Sequence, residues 1–146
     1  MTIRTMTIDD YDKLWALWMS SPNMGFNNLD DSREGIAKYL RRNPTTSFVA
    51  VEGDKLAGAI LAGHDGRRGF IHHTCVAADR QGQGIGAALA EKCLEALRAE
   101  GIHKVALLVF RYNDAGNAFW EKQGFTVRGD LNYRNRALTE LIRIDT

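Results

Sequence analysis

Three glycines within five residues, Gly82, Gly84 and Gly86, stand where the apolar pattern of the chain changes period, and this junction constrains the fold more than any other stretch. Upstream, residues 70–76 read as a strand; downstream, Ile85, Leu89, Cys93, Ala96 and Leu97 recur at helical spacing until Gly101 offers a stop. A strand that enters a helix through glycines is a backbone device. Without Cβ atoms the chain bends tightly, and an anion can approach the free N–H groups at the helix start, where the helix dipole also favours negative charge. Gln81, Gly82, Gln83, Gly84, Ile85, Gly86 and Ala87 are therefore a candidate pyrophosphate cradle.

The remaining segments supply a sheet around that junction. Residues 2–6 alternate weakly as a strand, and Thr7 with Asp10 fits a capping box ahead of a helix that carries Tyr11, Leu14, Trp15 and Trp18 on one face. That face has ordinary helical spacing and reads as core. A second helix begins at Asp31 or Ser32, packs through Ile36, Tyr39 and Leu40, and stops at Asn43-Pro44. Strands follow over 47–51 and 55–63 around the turn Glu52-Gly53-Asp54, and a further turn over 64–69 leads into the strand 70–76. The apolar run 104–110 reads as a central strand, Asn113 caps a helix over 114–123, and strands over 125–128 and 138–144 close the chain. With 146 residues, 45% of them hydrophobic, the chain builds one core and not two. The expected fold is α/β, a single domain over 1–146 with a mixed, mostly antiparallel sheet of about seven strands and helices on both faces, in the order β-α-α-β-β-β-α-β-α-β-β.

Charge narrows the partners. Lys and Arg total 19 against 18 Asp and Glu, so neither a nucleic acid nor a membrane surface is expected as the main partner. The start of the chain has no apolar leader, and no spanning apolar stretch occurs, which predicts a cytoplasmic protein. Cys75 and Cys93 form no C-x-x-C pair and read as small buried side chains.

Several readings of the glycine segment compete. Gly82-x-Gly84-x-x-Ala87 loosely fits a dinucleotide-binding fingerprint, but the next strand ends at Phe110-Arg111 with no acidic residue for a ribose. A Walker A loop requires Lys and then Ser or Thr after its last glycine, where this chain has Ala87 and Ala88. The bland reading is a glycine turn that lets a helix pack closely on a strand. Against it stand two motifs together. The run Gln81-x-x-Gly84-x-Gly86 resembles the Gln/Arg-x-x-Gly-x-Gly/Ala signature of the GNAT superfamily of N-acetyltransferases, and Asn113 to Phe125, with Glu121-Lys122-Gln123-Gly124-Phe125 at its end, resembles that superfamily's second signature. The element order agrees with the family fold, and the resemblance is to its small bacterial members in general.

The resemblance implies an enzyme that transfers acetyl directly from acetyl-CoA to a primary amine of a small molecule or a peptide. It implies that backbone N–H groups of 81–87 hold the pyrophosphate, that Val76 pairs with the pantetheine arm, that Asn113 hydrogen-bonds it and that Phe119 packs beside it. A backbone N–H at Val76 would also stabilise the oxyanion. Two departures matter. Where many members carry a Glu on the fourth strand this chain has Phe70, and where they commonly carry a Tyr that protonates the departing thiolate it has Trp120. An alkylammonium must lose its proton before attack, so a base is needed, and His72 is the candidate, with a hydrogen-bonded sheet residue as the alternative for both His72 and His73. Arg67 and Arg68, in the turn feeding that strand, either attract an anionic acceptor or form a solvated hairpin. No metal is expected, because neighbouring strand residues such as His72 and His73 point to opposite faces. Two rivals remain: a coenzyme A-binding regulatory domain with little or no turnover, and a small dinucleotide-binding module. Exposed strand edges leave room for a homodimer.

Overall fold

Five strands and four α-helices make up the regular structure of residues 1–144, the part of the chain that the computed structural model describes. Residues 145 and 146, which the one-domain expectation includes, lie outside it. The order is β1 (Thr2–Thr5), α1 (Tyr11–Met19), α2 (Arg33–Arg42), β2 (Phe48–Glu52), β3 (Lys55–His64), β4 (Gly69–Val76), α3 (Ile85–Ala99), β5 (Val105–Leu107) and α4 (Asp114–Lys122). A 3-10 turn over Ile8–Asp10 precedes α1, so Thr7 opens that turn and not the helix itself; the Asp10 carboxylate accepts the Thr7 N–H at 2.9 Å and is gripped by Arg4.

The strands lie in the order β1-β2-β3-β4-β5, antiparallel except for the parallel pair β4 and β5. Each face of this sheet has its own core. On one side Leu89, Cys93 and Leu97 of α3 pack on Ile60, Ala62 and Ile71; on the other, Leu14 and Trp18 of α1 and Ile36 of α2 pack on Val49, Ala59 and Leu61. Burying a side chain such as Leu89 completely contributes roughly 1.5–3 kcal/mol. These helix periods match the sequence reading.

Three expectations fail. The sheet has five strands and not about seven. The run 104–110 is a strand only over Val105–Leu107. The strands expected over 125–128 and 138–144 do not form, and most side chains from 126 to 144 are exposed. The hydrogen bonds of this tail go elsewhere. Phe125 gives its N–H to Trp120 O (2.9 Å) at the end of α4, and Arg128 grips Asp130 two residues on. Further along, Ile142 O accepts the Asn28 N–H (3.0 Å), Ile142 N–H donates to Asn28 Oδ1 (2.7 Å), and Arg143 bridges Asn27. The tail is thus tied to the loop between α1 and α2 instead of to the sheet.

Candidate active site

The loss of pairing along β4 opens a cleft. Gly69, Phe70 and Ile71 face Val105, Ala106 and Leu107, and beyond Ile71 the two strands part. A cavity of about 1210 Å³ fills the gap, bounded by the outer half of β4, the glycine segment, residues 108–111, the start of α4 and residues 21–25. Ala77 N–H donates to Ala57 O on the β3 side (2.8 Å), so strand alternation turns the Val76 N–H the other way, into the space that β5 vacates.

At one end of this cleft lies the start of α3. Gly82 and Gly84 have φ of +79° and +80°, the left-handed region, while a Cβ on either would meet nothing within 4 Å. Backbone conformation, not crowding, calls for glycine there. Gly86 differs: a Cβ would come within 3.1 Å of the Phe119 ring, so this glycine lets α3 approach α4 closely. No side chain caps α3, whose cap residue is Gly84. By contrast Ser32 Oγ accepts the Gly35 N–H at the start of α2, and Asn113 Oδ1 accepts the Gly116 N–H at the start of α4, each at 3.0 Å.

Most of the residues singled out from sequence meet here. Val76, Gln81, Gly82, Gly84, Ile85, Gly86, Ala87, Asn113, Phe119 and His72 all line the cleft, and Gln83 does not. Gln81 Nε2 reaches back to Val76 O at 3.4 Å. Asn113 spends its Oδ1 on the helix cap, which leaves its amide N–H groups for a ligand. Trp120 lines the cleft yet is only 8% exposed, with its ring edge-on to Phe119 and Phe125 at 4.8 and 5.2 Å. Sequence reasoning gave no role to three cations in the wall: Arg80 and Arg111, which belong to neither signature, and Lys122, which lies within the second; Arg80 also pairs with Glu52.

Arg67 and Arg68 lie outside the cleft. Both give their backbone N–H to Asp65 Oδ1, at 2.8 and 2.7 Å, which holds the Asp65 carboxyl below its ordinary range. Arg68 nevertheless lines a second depression of about 250 Å³ with Arg42 and Tyr39, and that depression shares Phe70 and His72 with the cleft.

One local irregularity reverses an expectation. Ile60 faces Thr74 and Ala62 faces Ile71, so two steps along β3 span three along β4, and the extra residue is a β-bulge at His72–His73. Both imidazoles consequently turn toward α1 and α2: His72 sits edge-on to Tyr39 at 5.4 Å, and His73 edge-on to Trp18 at 5.2 Å and Phe26 at 4.4 Å. His72 and His73 therefore share a face of the sheet, contrary to the opposite faces expected of neighbouring strand residues. Among the described residues no three His, Cys, Asp or Glu side chains converge in a way that could hold a metal ion. His72 is open to the cleft, but desolvation, and then the neighbouring His73, push its pKa down to about 4, so its ring is neutral at pH 7. His73 Nε2 meets Asp31 Oδ1 at 2.5 Å. Burial pushes the Cys75 thiol up to about 12, which removes it as a nucleophile.

A split sheet with an uncapped helix start at the split is matched by kinship. The acetyltransferase (GNAT) family model matches residues 11–125, most of the chain. The chain belongs to the GNAT family. Among GNAT relatives, N-alpha-acetyltransferase 30 of Schizosaccharomyces pombe is 30% identical over 105 residues, 65% of this chain and 70% of that protein. Mycothiol acetyltransferase of Beutenbergia cavernae is 37% identical over 112 residues, which are 73% of this chain and only 37% of that longer protein. In structure, the PaiA N-acetyltransferase of Thermoplasma acidophilum, solved in complex with coenzyme A, superimposes with a TM-score of 0.76 at 20% identity, covering 87% of this chain and 90% of that one. This GNAT protein is accordingly an acetyltransferase, and none of its described helices is long and apolar enough to cross a membrane.

Proposed function

We propose that this GNAT protein transfers acetyl directly from acetyl-CoA to a primary amine of a small molecule or a peptide. The observation that carries the reading is the bare start of α3, opening onto a cleft made where β4 and β5 part. Acetyl-CoA supplies the acetyl group as an activated thioester. First-turn N–H groups over 82–87 take its pyrophosphate, aided by the helix dipole and by the Arg80 cation, and the amide of Asn113 and the ring of Phe119 hold the pantetheine arm. The Val76 N–H, turned into the cleft, donates to the carbonyl oxygen as negative charge develops on it.

His72 and His73 are the imidazoles in the wall that can take the acceptor's proton. Trp120 cannot serve as a general acid, since an indole N–H donates hydrogen bonds but is far too weak an acid to give its proton to a thiolate. A thiol with an ordinary pKa of about 8.5 leaves tolerably without an acid, so Trp120 acts as a packing wall. Arg68 and Arg42, beside Phe70 and His72, suit an acceptor that carries an anionic group, whereas Arg67 belongs to the hairpin alone. Buried reduced cysteines fit a cytoplasmic place of action, and β5, an edge strand among the described residues, suits a homodimer.

The test is thiol release from acetyl-CoA against a panel of amines: peptide N-termini, lysine peptides, amino acids, polyamines and aminoglycosides. Amine-dependent release with one acetyl group gained per product, read by mass spectrometry, is expected. Calorimetric binding of acetyl-CoA with no consumption by any amine would instead mark a regulatory coenzyme A-binding domain.

A further inference from the structure

The bulge in β4 places an imidazole of the cleft wall against a buried carboxylate behind it. His73 lines the cavity with its side chain 11% exposed, and Asp31, from the loop before α2, has its own 6% exposed. Each Asp31 oxygen is engaged: Oδ1 by His73 Nε2 at 2.5 Å, and Oδ2 by the Asn27 N–H at 2.8 Å. The loop is held from several sides. Tyr11 Oη donates to the Asp31 carbonyl at 2.7 Å, Asn27 Oδ1 accepts the N–H groups of Leu29 and Asp30, and the tail is bonded to Asn28. The rings of Trp18 and Phe26 fix the imidazole between them.

A carboxylate only accepts, so when the His73 ring is neutral this contact favours the tautomer with its proton on Nε2 and its lone pair on Nδ1. No hydrogen bond of the described residues engages Nδ1. His72 has the opposite character: no hydrogen bond among the described residues orients it, and its surroundings disfavour the protonated form. A mere tie between loop and sheet would explain the His73–Asp31 contact, but it would explain neither a bulge at this point nor a cleft-lining imidazole whose second nitrogen has no hydrogen-bond partner among the described residues. Bulges commonly re-aim side chains beside active sites.

We propose that His73, oriented by Asp31, is the general base of the acetyl transfer. Nδ1 takes one proton from the acceptor ammonium; the freed nitrogen pair forms a bond to the thioester carbonyl carbon; the carbon–sulfur bond breaks and its electron pair leaves on the thiolate. A second proton from the attacking nitrogen ends on that sulfur, and the first passes from His73 to solvent. Asp31 is a positioning residue that sets the tautomer. The assignment rests on the acetyl-transfer reading of the cleft.

With an acceptor identified from the amine panel, His73→Gln lowers kcat by about 10²–10⁴-fold, the range for a lost general base, with acetyl-CoA Kd within about threefold of wild type. His72→Gln costs less than a tenth of that loss. Asp31→Asn lowers kcat by about tenfold or more, and imidazole ¹⁵N spectra show His73 losing its preference for the Nε2–H tautomer. A folded His73→Gln that keeps kcat within about fivefold, or a larger loss in His72→Gln, overturns the base while leaving acetyl transfer standing. Should the variants fail to fold, the wild-type spectrum decides: neutral His73 protonated on Nδ1 contradicts the proposal. A wild-type protein that binds acetyl-CoA and acetylates no amine removes the transfer reading, and the base with it.

Discussion

The two helices that border the cleft begin in opposite ways. At α4 the side chain of Asn113 closes the first turn by accepting the Gly116 N–H, and a Cβ on Gly116 would collide with Asn113 at 2.5 Å, so residue choice there is bent to the cap. At α3 the cap position is Gly84, which has no side chain to offer, and space around Gly82 and Gly84 is open. A capping side chain stabilises a helix by about 1 kcal/mol, and α3, the longest helix described, goes without one. Under the proposed function, a helix start left open beside a capped one, across a single cavity, is kept for a ligand rich in acceptor oxygens. A pyrophosphate meets that description.

Substitutions at the two starts sharpen the contrast. The largest effect is expected from Gly84→Val, which forces a β-branched residue into the left-handed region and sets a side chain over the N–H groups. Acetyl-CoA affinity should fall by at least about tenfold, equal to about 1.4 kcal/mol, in a variant whose circular dichroism spectrum is still folded. Unchanged affinity in titration calorimetry would break the contrast at its root. Asn113→Ala acts mainly on stability: removing the cap costs about 1 kcal/mol in denaturant unfolding, while acetyl-CoA binding weakens less than in the Gly84 variant. Equal or greater loss of binding would make Asn113, not the bare helix start, the principal anchor. The smallest expected effect on ligand belongs to Ser32→Ala, which removes the cap of α2 away from the cleft. It costs a similar amount, about 1 kcal/mol, and leaves acetyl-CoA affinity as in wild type.

What the sequence discloses about this molecule follows from how local each feature is. The glycine segment, the caps at Ser32 and Asn113, and the core stripe of α3 are written within a few residues of one another, and the structure places them as their spacing predicts. The bulge is not local. It exists because β3 and β4 slip by one residue across the sheet, and no pattern within 70–76 announces that His72 and His73 share a face. Asp31 is legible from sequence only as a helix start, yet its carboxylate meets His73, 42 residues away. The tail misleads for a related reason. Its apolar residues have strand character, but a strand needs a partner, and the amides of 142 and 144 find theirs on the loop at Asn28 and Phe26. Arg68 lines the second depression together with Phe70, while Arg67, its neighbour in sequence, does not.

The reserved helix start is tested most directly by titrating ¹⁵N-labelled protein with acetyl-CoA and following backbone amide resonances. The largest shifts are predicted at Gly82, Gly84, Ile85, Gly86 and Ala87, with Val76 among those that move and Gly35, at the capped start of α2, still. Acetyl-CoA that binds while the amides of 82–87 stay in place, or that moves Gly35 more than Gly84, would contradict the account.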